Sequence, residues 1–182
     1  TDAAEAAAGA DFTVLSVPSQ TLRGNLAEWT PLLAPDTILV SLMKGVELGS
    51  AMRMSEVIED VAKVGPDRIA VVTGPNLARE IASRMPAAAV VACTDEAVAR
   101  RLQAACHTPY FRPYTETDVV GCELGGAVKN VIGLAVGIAD GMGLGDNAKG
   151  SLITREAAGE RSLSFLHPEE EGAPSPGAPV DS

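Results

Sequence analysis

The sequence has few of the residues on which nucleic-acid sites and metal sites depend. Of its 182 residues, 14 are Lys or Arg against 24 Asp or Glu, which gives a net charge of −10, and only 3% are aromatic. Nucleic-acid-binding proteins show the opposite pattern, a basic surface interleaved with aromatic side chains, so we expect no nucleic-acid partner. Neither His107 nor His167 has a ligand-like neighbour, and we expect no metal site.

The sequence also shows neither the spacing of a disulfide framework nor the pattern of a leader segment at its start. The three cysteines are Cys93, Cys106 and Cys122. An odd number without metal spacing is typical of free thiols in a reducing cytoplasm. The chain begins at Thr1 without a basic region or an apolar core, so we expect no signal peptide.

The longest apolar run, residues 119–141, does not resemble a membrane span. Its polar members are Glu123, Lys129, Asn130 and Asp140. A bilayer span of about 20 residues rarely carries so many ionisable groups. We therefore expect a cytoplasmic protein with no membrane partner.

What the sequence does contain is the alternating pattern of an α/β fold. An apolar content of 46% is sufficient for a buried core. Short β-rich runs alternate with helical stretches. The predicted strands are residues 12–17, 37–42, 68–73 and 87–93, with a last short strand around Phe111. This order predicts an open parallel sheet, which binds ligands at the carboxyl ends of its strands.

Three predicted strands end in small or polar residues. The segments are Val17-Pro18-Ser19-Gln20, Leu42-Met43-Lys44-Gly45 and Thr73-Gly74-Pro75-Asn76. Backbone N–H groups and side chains at such positions can meet a phosphate or a nucleotide. Pro and Gly are also ordinary strand terminators, and a solvated Lys44 is the alternative. Three such ends together favour a ligand crevice.

Lys129 stands in the middle of the apolar run, which we predict to be a buried helix. A buried ammonium has to be paired, neutralised or in contact with an anion, because its desolvation costs several kcal/mol. Glycines recur with Lys129 every four residues, at Gly125, Gly133, Gly137 and Gly141. This stripe predicts close approach of a backbone or a ligand. The alternative is a lysine that snorkels from a packed core helix.

Several segments carry a resemblance to a known family. They are SLMKGVE (41–47), TGPNLARE (73–80), ELGGAVKNVI (123–132), GMGLGDNA (141–148) and LITR (152–155). In order and spacing they resemble bacterial NAD(P)-dependent sn-glycerol-3-phosphate dehydrogenase over residues 1–155. The resemblance implies an enzyme that interconverts dihydroxyacetone phosphate and sn-glycerol 3-phosphate by hydride transfer with NAD or NADP, for glycerophospholipid synthesis.

The resemblance also implies a domain organisation. Residues 1–115 would be a Rossmann-like parallel sheet that lacks its first βαβ unit. Residues 116–155 would be the first helices of an all-α substrate domain, and residues 156–182 a divergent, disordered tail. The complete enzyme would be a homodimer.

The resemblance also assigns roles to individual residues, by their positions within the matching segments. The resemblance implies that Lys129 is the catalytic proton donor and acceptor. Substrate contacts would come from Lys44, Gly74, Asn76 and Asn130 as well as Lys129. Cofactor contacts would come from Lys44, Ala78, Val17, Pro18 and Ser19.

Two family features are absent from this sequence. One is the G-x-G-x-x-G turn after a first strand. The residues Gly143 to Ala148 fit a related pattern by letters, but they follow a helix, so we predict a helix-to-helix turn there. The other is a Ser-Arg-Asn segment of the helical domain. We therefore expect this chain to be an inactive fragment. The alternatives are a non-catalytic remnant and another β-hydroxyacid or ketopantoate-type reductase, which the motifs at Lys44, Gly74 and Lys129 disfavour.

Overall fold

The computed structural model describes residues 2–163 and the side chains of residues 2–154. The strands are β1 (Phe12–Leu15), β2 (Ile38–Ser41), β3 (Ile69–Thr73), β4 (Ala87–Ala92) and β5 (Phe111–Glu116). The helices are α1 (Ala3–Ala7), α2 (Leu22–Trp29), α3 (Met54–Ala62), α4 (Ala78–Ala82), α5 (Glu96–Cys106), α6 (Val119–Gly141) and α7 (Asp146–Leu163). Most of the predicted tail, residues 164–182, lies outside the described residues, so its disorder stays a prediction.

The five strands form one sheet in the order β1-β2-β3-β4-β5. The pairs β1–β2, β2–β3 and β4–β5 are parallel, so the predicted α/β fold with a mainly parallel sheet is confirmed. One junction differs from the prediction, because β4 runs antiparallel to β3. A parallel return needs a crossover of a dozen or more residues, whereas the only helix between these two strands has 5 residues. The chain therefore turns back at the carboxyl edge of β3.

Helices cover the two faces of this sheet with separate apolar cores. On one face, α2 and α3 pack on β1, β2 and β3 through buried side chains that include Leu22, Leu26, Leu39, Val57, Ile58 and Ile69. On the other face, α5 packs through Ala99 and Leu102 against a set that includes Val40, Ala70 and Val91. Helix α5 begins after Asp95, whose carboxylate accepts hydrogen bonds from the N–H groups of Ala97 (2.7 Å) and Val98 (3.3 Å).

Helix α6 packs on the sheet only through its first turns. Val119 and Cys122 contact Val71 and Ala92 on β3 and β4. Further along, Val131, Leu134 and Ile138 are 63%, 66% and 56% exposed. The prediction of a buried helix is therefore wrong for this part of the described chain. The composition of this part is apolar, as the prediction requires. In the described residues, however, α7 is the element that packs beside it, and this leaves several apolar side chains exposed.

By length and composition alone, α6 would also be long enough and apolar enough to cross a membrane. Its first turns carry the buried carboxylate of Glu123 against α3, which is the packing of a globular domain. Between α6 and α7 the chain turns at Gly143, which has φ +74°. The prediction of a helix-to-helix turn at this glycine-rich segment is confirmed.

Candidate functional site

A cavity of about 710 Å³ lies between α6 and the carboxyl ends of β2 and β3. Its lining residues are Lys44, Thr73, Gly74, Pro75, Val90, Glu116, Asp118, Gly121, Cys122, Gly125, Gly126 and Lys129. Three residues that were singled out on different segments of the sequence, Lys44, Gly74 and Lys129, are thus brought to one cavity.

One face of α6 forms the roof of this cavity. Cys122, Gly126 and Lys129 are spaced by four and three residues, so they lie on the same side of a helix. A Cβ atom at Gly126 would lie 3.3 Å from Thr73 Oγ1 and 3.6 Å from Lys44 Cγ. This tight spacing lets the helix backbone approach the ends of two strands.

The predicted glycine stripe has this role only in part. Gly125 lines the cavity, whereas a Cβ atom at Gly133, Gly137 or Gly141 would meet no atom within 4 Å among the described residues. The close approach to the strand ends occurs at the neighbouring Gly126.

Lys44 is held at the floor of the cavity by the neighbouring strand end. Its Nζ donates a hydrogen bond to the Gly74 carbonyl oxygen at 2.9 Å. Burial is the main cause that lowers the pKa of Lys44, and the positive charge of Lys129 lowers the same pKa further. Both residues line the same cavity, and an anion placed between the two ammonium groups would relieve their repulsion.

Lys129 itself is exposed at the edge of the cavity. The expectation of a buried ammonium is wrong in the described chain, because Lys129 lies where the residues of α6 change from half-buried to exposed. Asn130 is also exposed and is not among the cavity residues.

The loop after β3 has little room for side chains. A Cβ atom at Gly74 would lie 3.0 Å from the Ala88 carbonyl oxygen and 3.2 Å from Ala89 Cα, so only glycine fits there. Asn76 belongs to a smaller neighbouring cavity, and its Oδ1 is buried without a hydrogen-bond partner among the described residues. Ala78, the first residue of α4, is exposed and lines neither cavity.

The loop after β1 is joined to the loop that carries Lys44. The Gln20 amide donates to the Val46 carbonyl oxygen and accepts from the Leu48 N–H, both at 2.8 Å. Val17, Pro18 and Ser19 precede this bridge and do not line the main cavity. Ser19 lies close to the loop that carries Lys44, since a Cβ atom at Gly45 would be 3.9 Å from Ser19 Oγ.

The opposite end of the cavity is acidic, which the sequence analysis did not predict. The N–H groups of Thr117 and Asp118 donate to Glu116 and lower the pKa of its carboxyl group. The Asp118 carboxylate accepts a hydrogen bond from the Gly121 N–H at 2.8 Å and caps α6. Only this cap had a signal in the sequence, an aspartate directly before the apolar run.

Cys122 lies between the acidic and the basic ends. Burial, and after it the nearby acidic residues, raises the pKa of this thiol to about 11. The thiol is therefore protonated at neutral pH and contributes no charge to the cavity. All three cysteines are free, and the described residues contain no cluster of His, Cys, Asp and Glu that could hold a metal ion.

Two sequence profiles match the chain. The profile of the NAD-dependent glycerol-3-phosphate dehydrogenase N-terminus matches residues 1–99, and that of the C-terminus matches residues 118–164. A glycerol-3-phosphate dehydrogenase [NAD(P)+] of Streptomyces avermitilis is 90% identical over 166 residues, which are 91% of this chain and 49% of the relative. The corresponding protein of Streptomyces coelicolor is 89% identical over 158 residues, 87% of this chain and 47% of the relative.

Solved structures agree with these matches. The crystal structure of glycerol-3-phosphate dehydrogenase from Coxiella burnetii is 32% identical, with a TM-score of 0.77 over 91% of this chain and 50% of that chain. The Plasmodium falciparum structure of the same name is 25% identical, with a TM-score of 0.81 over 91% of this chain and 46% of that chain. The chain thus spans about half the length of the curated relatives and solved structures it matches.

Proposed function

The chain belongs to the NAD-dependent glycerol-3-phosphate dehydrogenase family, and from this premise we propose that it forms the substrate side of an enzyme that interconverts dihydroxyacetone phosphate and sn-glycerol 3-phosphate. The observation that carries the proposal is the meeting of Lys44, Gly74 and Lys129 at one cavity. Each comes from a different element, so their proximity is a property of the fold.

Two cations at one cavity suit a small phosphate-bearing substrate. The net charge of the chain is −10, so a dianion needs a local positive field in order to bind. Lys44 is fixed by the Gly74 carbonyl oxygen and provides a stationary charge. Lys129 provides a second charge from the edge of the cavity.

Lys129 is the proposed proton donor. When hydride reaches the carbonyl carbon of dihydroxyacetone phosphate, negative charge develops on the carbonyl oxygen. A nearby ammonium stabilises that charge and gives up a proton to it, which forms the hydroxyl group of the product. In the reverse direction the neutral amine of Lys129 accepts the hydroxyl proton.

The described residues fit part of a dinucleotide. Lys44 and the loop of Val17, Pro18 and Ser19 lie at adjacent strand ends, where α/β sheets bind nucleotides, and Ala78 begins the helix after β3. A bound NAD or NADP would supply the hydride. No turn suited to its pyrophosphate occurs among residues 2–163, because the Gly143 segment joins two helices.

Asn76 and Asn130 have supporting roles in this proposal. The unpartnered Oδ1 of Asn76 is an acceptor for a substrate hydroxyl after a small movement of the loop. Asn130 follows the proton donor and would contact the substrate from the same helix. The proposal includes a cytoplasmic location, a homodimer for the complete enzyme, and no nucleic-acid or membrane partner.

A chimera tests the proposal directly. The segment of the Streptomyces avermitilis relative that aligns with this chain is replaced by the residues of this chain, and the oxidation of NADH and NADPH by dihydroxyacetone phosphate is measured. We expect kcat/KM within about tenfold of the relative, a loss below about 1.4 kcal/mol of transition-state stabilisation. The 182-residue chain alone, assayed in parallel, should give no turnover.

The alternative is a non-catalytic remnant that keeps the sheet and α6. It predicts a chimera that melts like the relative and yet lacks activity with either cofactor. That result would refute the proposed function, whereas a chimera that does not fold calls for the same test with residues 1–155 alone.

A further inference from the structure

The position of Lys129 depends on a small part of α6. The buried residues of this helix are Val119, Glu123 and Ala139. Lys129 lies between the last two, on a stretch of half-buried and exposed residues. The contacts that connect this part of the helix to the sheet are those of the first turns.

The apolar part of these contacts is weakly directional. Val119 and Cys122 pack on Val71 and Ala92, and such packing restrains distance better than rotation, because the hydrophobic effect has no direction. Gly126 permits close approach to Thr73 and Lys44, but a glycine has no side chain with which to hold the helix there.

Glu123 provides directional contacts on the neighbouring side of the helix. Its carboxylate is 4% exposed. One oxygen accepts from the Ser55 N–H at 2.9 Å, and the other accepts from Arg53 Nη1 at 2.8 Å and from the Ser55 hydroxyl. Arg53 also pairs with Glu56 at 2.9 Å, so its guanidinium is itself held in place.

These bonds connect α6 to the start of α3. The Arg53 N–H donates to the Glu56 carboxylate at 2.8 Å, which fixes the residue that precedes α3 against its first turn. Because α3 is buried against the sheet through Val57 and Ile58, the carboxylate of Glu123 is tied to a rigid part of the molecule.

We propose that Glu123 is a positioning residue, whose bonds to Arg53 and Ser55 fix the rotation of α6 and thereby hold Lys129 beside Lys44. Lys129 follows Glu123 by six positions on the same helix, so a small rotation of the first turns moves the ammonium across the cavity. Proton transfer depends on such positions to within about 1 Å. The inference rests on the proposed function only in the role that it gives to this geometry, which is proton transfer by Lys129. Its test measures the pKa of a lysine and does not need turnover.

The pKa of Lys44 depends on its distance from the positive charge of Lys129, so a titration of Lys44 detects a movement of Lys129. The full chain is acylated with an amine-selective reagent over a range of pH, and peptide mass spectrometry gives the pKa of each lysine. Lys63, whose side chain is 77% exposed, is the internal reference. In Lys129→Met the pKa of Lys44 should rise, because the repelling charge is gone, and this variant calibrates the readout.

Glu123→Ala should raise the pKa of Lys44 by a large part of the rise seen in Lys129→Met. The sign is informative, since the loss of a carboxylate by itself lowers the pKa of a nearby lysine. The carboxylates of Glu116 and Asp118 also face the cavity and are unchanged in every variant. In the Lys129→Met background, Glu123→Ala should have little further effect, because the ammonium through which it acts is absent.

Two further variants separate positioning from general loss of stability. Leu102→Ala removes a side chain that is 3% exposed on the opposite face of the sheet and should leave the pKa of Lys44 unchanged. Glu123→Gln keeps the shape and part of the hydrogen bonding, so it should give a smaller rise than Glu123→Ala and serves in its place if that variant does not fold. An unchanged or lowered pKa of Lys44 in folded Glu123 variants would overturn the proposal, and so would an equal rise in Leu102→Ala.

Discussion

The sheet region, residues 12–116, and the helical arm, residues 119–163, differ in how they use apolar side chains. In the sheet region, every residue of β2 is buried, and helices cover both faces. In the helical arm, α6 has a higher share of apolar residues than the sheet region as a whole, yet its Leu134 is 66% exposed. An apolar pattern identifies which side chains prefer burial, but the rest of the chain determines whether anything covers them.

The candidate site lies where these two regions meet. Lys44 comes from the sheet region and is held by a hydrogen bond of 2.9 Å, whereas Lys129 comes from the arm and is exposed. The site thus combines a cation that the sheet region holds with one that the helical arm carries. Substitutions in one region leave the other intact.

The largest expected effect is on catalysis by the chimera with the Streptomyces avermitilis relative. Lys129→Met should lower kcat by about 10²–10⁴-fold, the usual range for the loss of a general acid, with cofactor binding little changed. Lys44→Met should instead weaken the binding of substrate and cofactor together, because the fixed charge faces the ligand crevice. Steady-state kinetics and a thermal melt of both variants provide the measurement.

A different result would assign Lys129 a structural role. If it only snorkels from the helix, Lys129→Met should be neutral or stabilising, since methionine has a similar length and no charge to desolvate. Normal kcat in a folded Lys129→Met chimera would end the catalytic assignment.

The next largest effect is on stability and concerns packing alone. Leu39→Ala, at a side chain with no exposure on β2, should lower the free energy of unfolding by about 2–5 kcal/mol. Leu134→Ala, the matched change in the arm, should alter it by less than about 0.5 kcal/mol. Urea unfolding of the 182-residue chain, followed by the fluorescence of Trp29, gives both values. Similar losses would mean that the arm is covered in solution, for example by another copy of the chain.

This contrast also explains what the sequence could predict. The strands followed from local signals, namely buried apolar runs that end in turn residues. The antiparallel β4 did not, because strand direction depends on the path of a 5-residue helix that periodicity does not describe. Exposure of α6 is equally non-local, because a sequence pattern does not specify the partner that covers it.

The site shows the same division. Lys44, Gly74 and Lys129 were found from strand ends and from a charge in an apolar run, and the structure places them at one cavity. Glu116 had no signal, because it becomes a cavity residue only when β5 is placed beside β4. Glu123 was visible only as one polar group among several, and its partner Arg53 is 70 residues away.

The pH dependence of stability probes the junction between the two regions. Cys122 has its pKa raised from the ordinary 9.0 to about 11, first by burial and then by acidic neighbours. A thiol with a raised pKa contributes stability that is fully present below pH 9 and is lost as the pH rises towards 11, because the unfolded chain ionises first. Unfolding free energies measured between pH 8 and 11 should therefore fall less steeply in Cys122→Ala than in the unchanged chain.

Cys106→Ala is the control from the sheet region. The pKa of Cys106 is raised by burial without acidic neighbours, so this variant should alter the slope less. Lys44 acts in the opposite sense, since its lowered pKa makes stability rise with pH between that pKa and the ordinary 10.5, but it is the same in all three proteins and cancels from the comparison. Equal slopes in the unchanged chain and in Cys122→Ala would show that the thiol is hydrated.

The smallest effect separates the two kinds of glycine in α6. Alanine is favoured over glycine inside a helix by about 0.5–1 kcal/mol. Gly133→Ala should realise this gain in the 182-residue chain, because a Cβ atom there meets no atom within 4 Å. Gly126→Ala should not, because its Cβ atom would lie 3.3 Å from Thr73 Oγ1 and push the helix away from the strand end. Urea unfolding compares the two variants.

The same pair of substitutions in the chimera tests whether the glycine stripe has a role in the longer protein. If a further element packs on Gly133 there, Gly133→Ala should change from stabilising to destabilising, because the added Cβ atom would meet that element. A gain of stability in both proteins would show that the stripe is open in both.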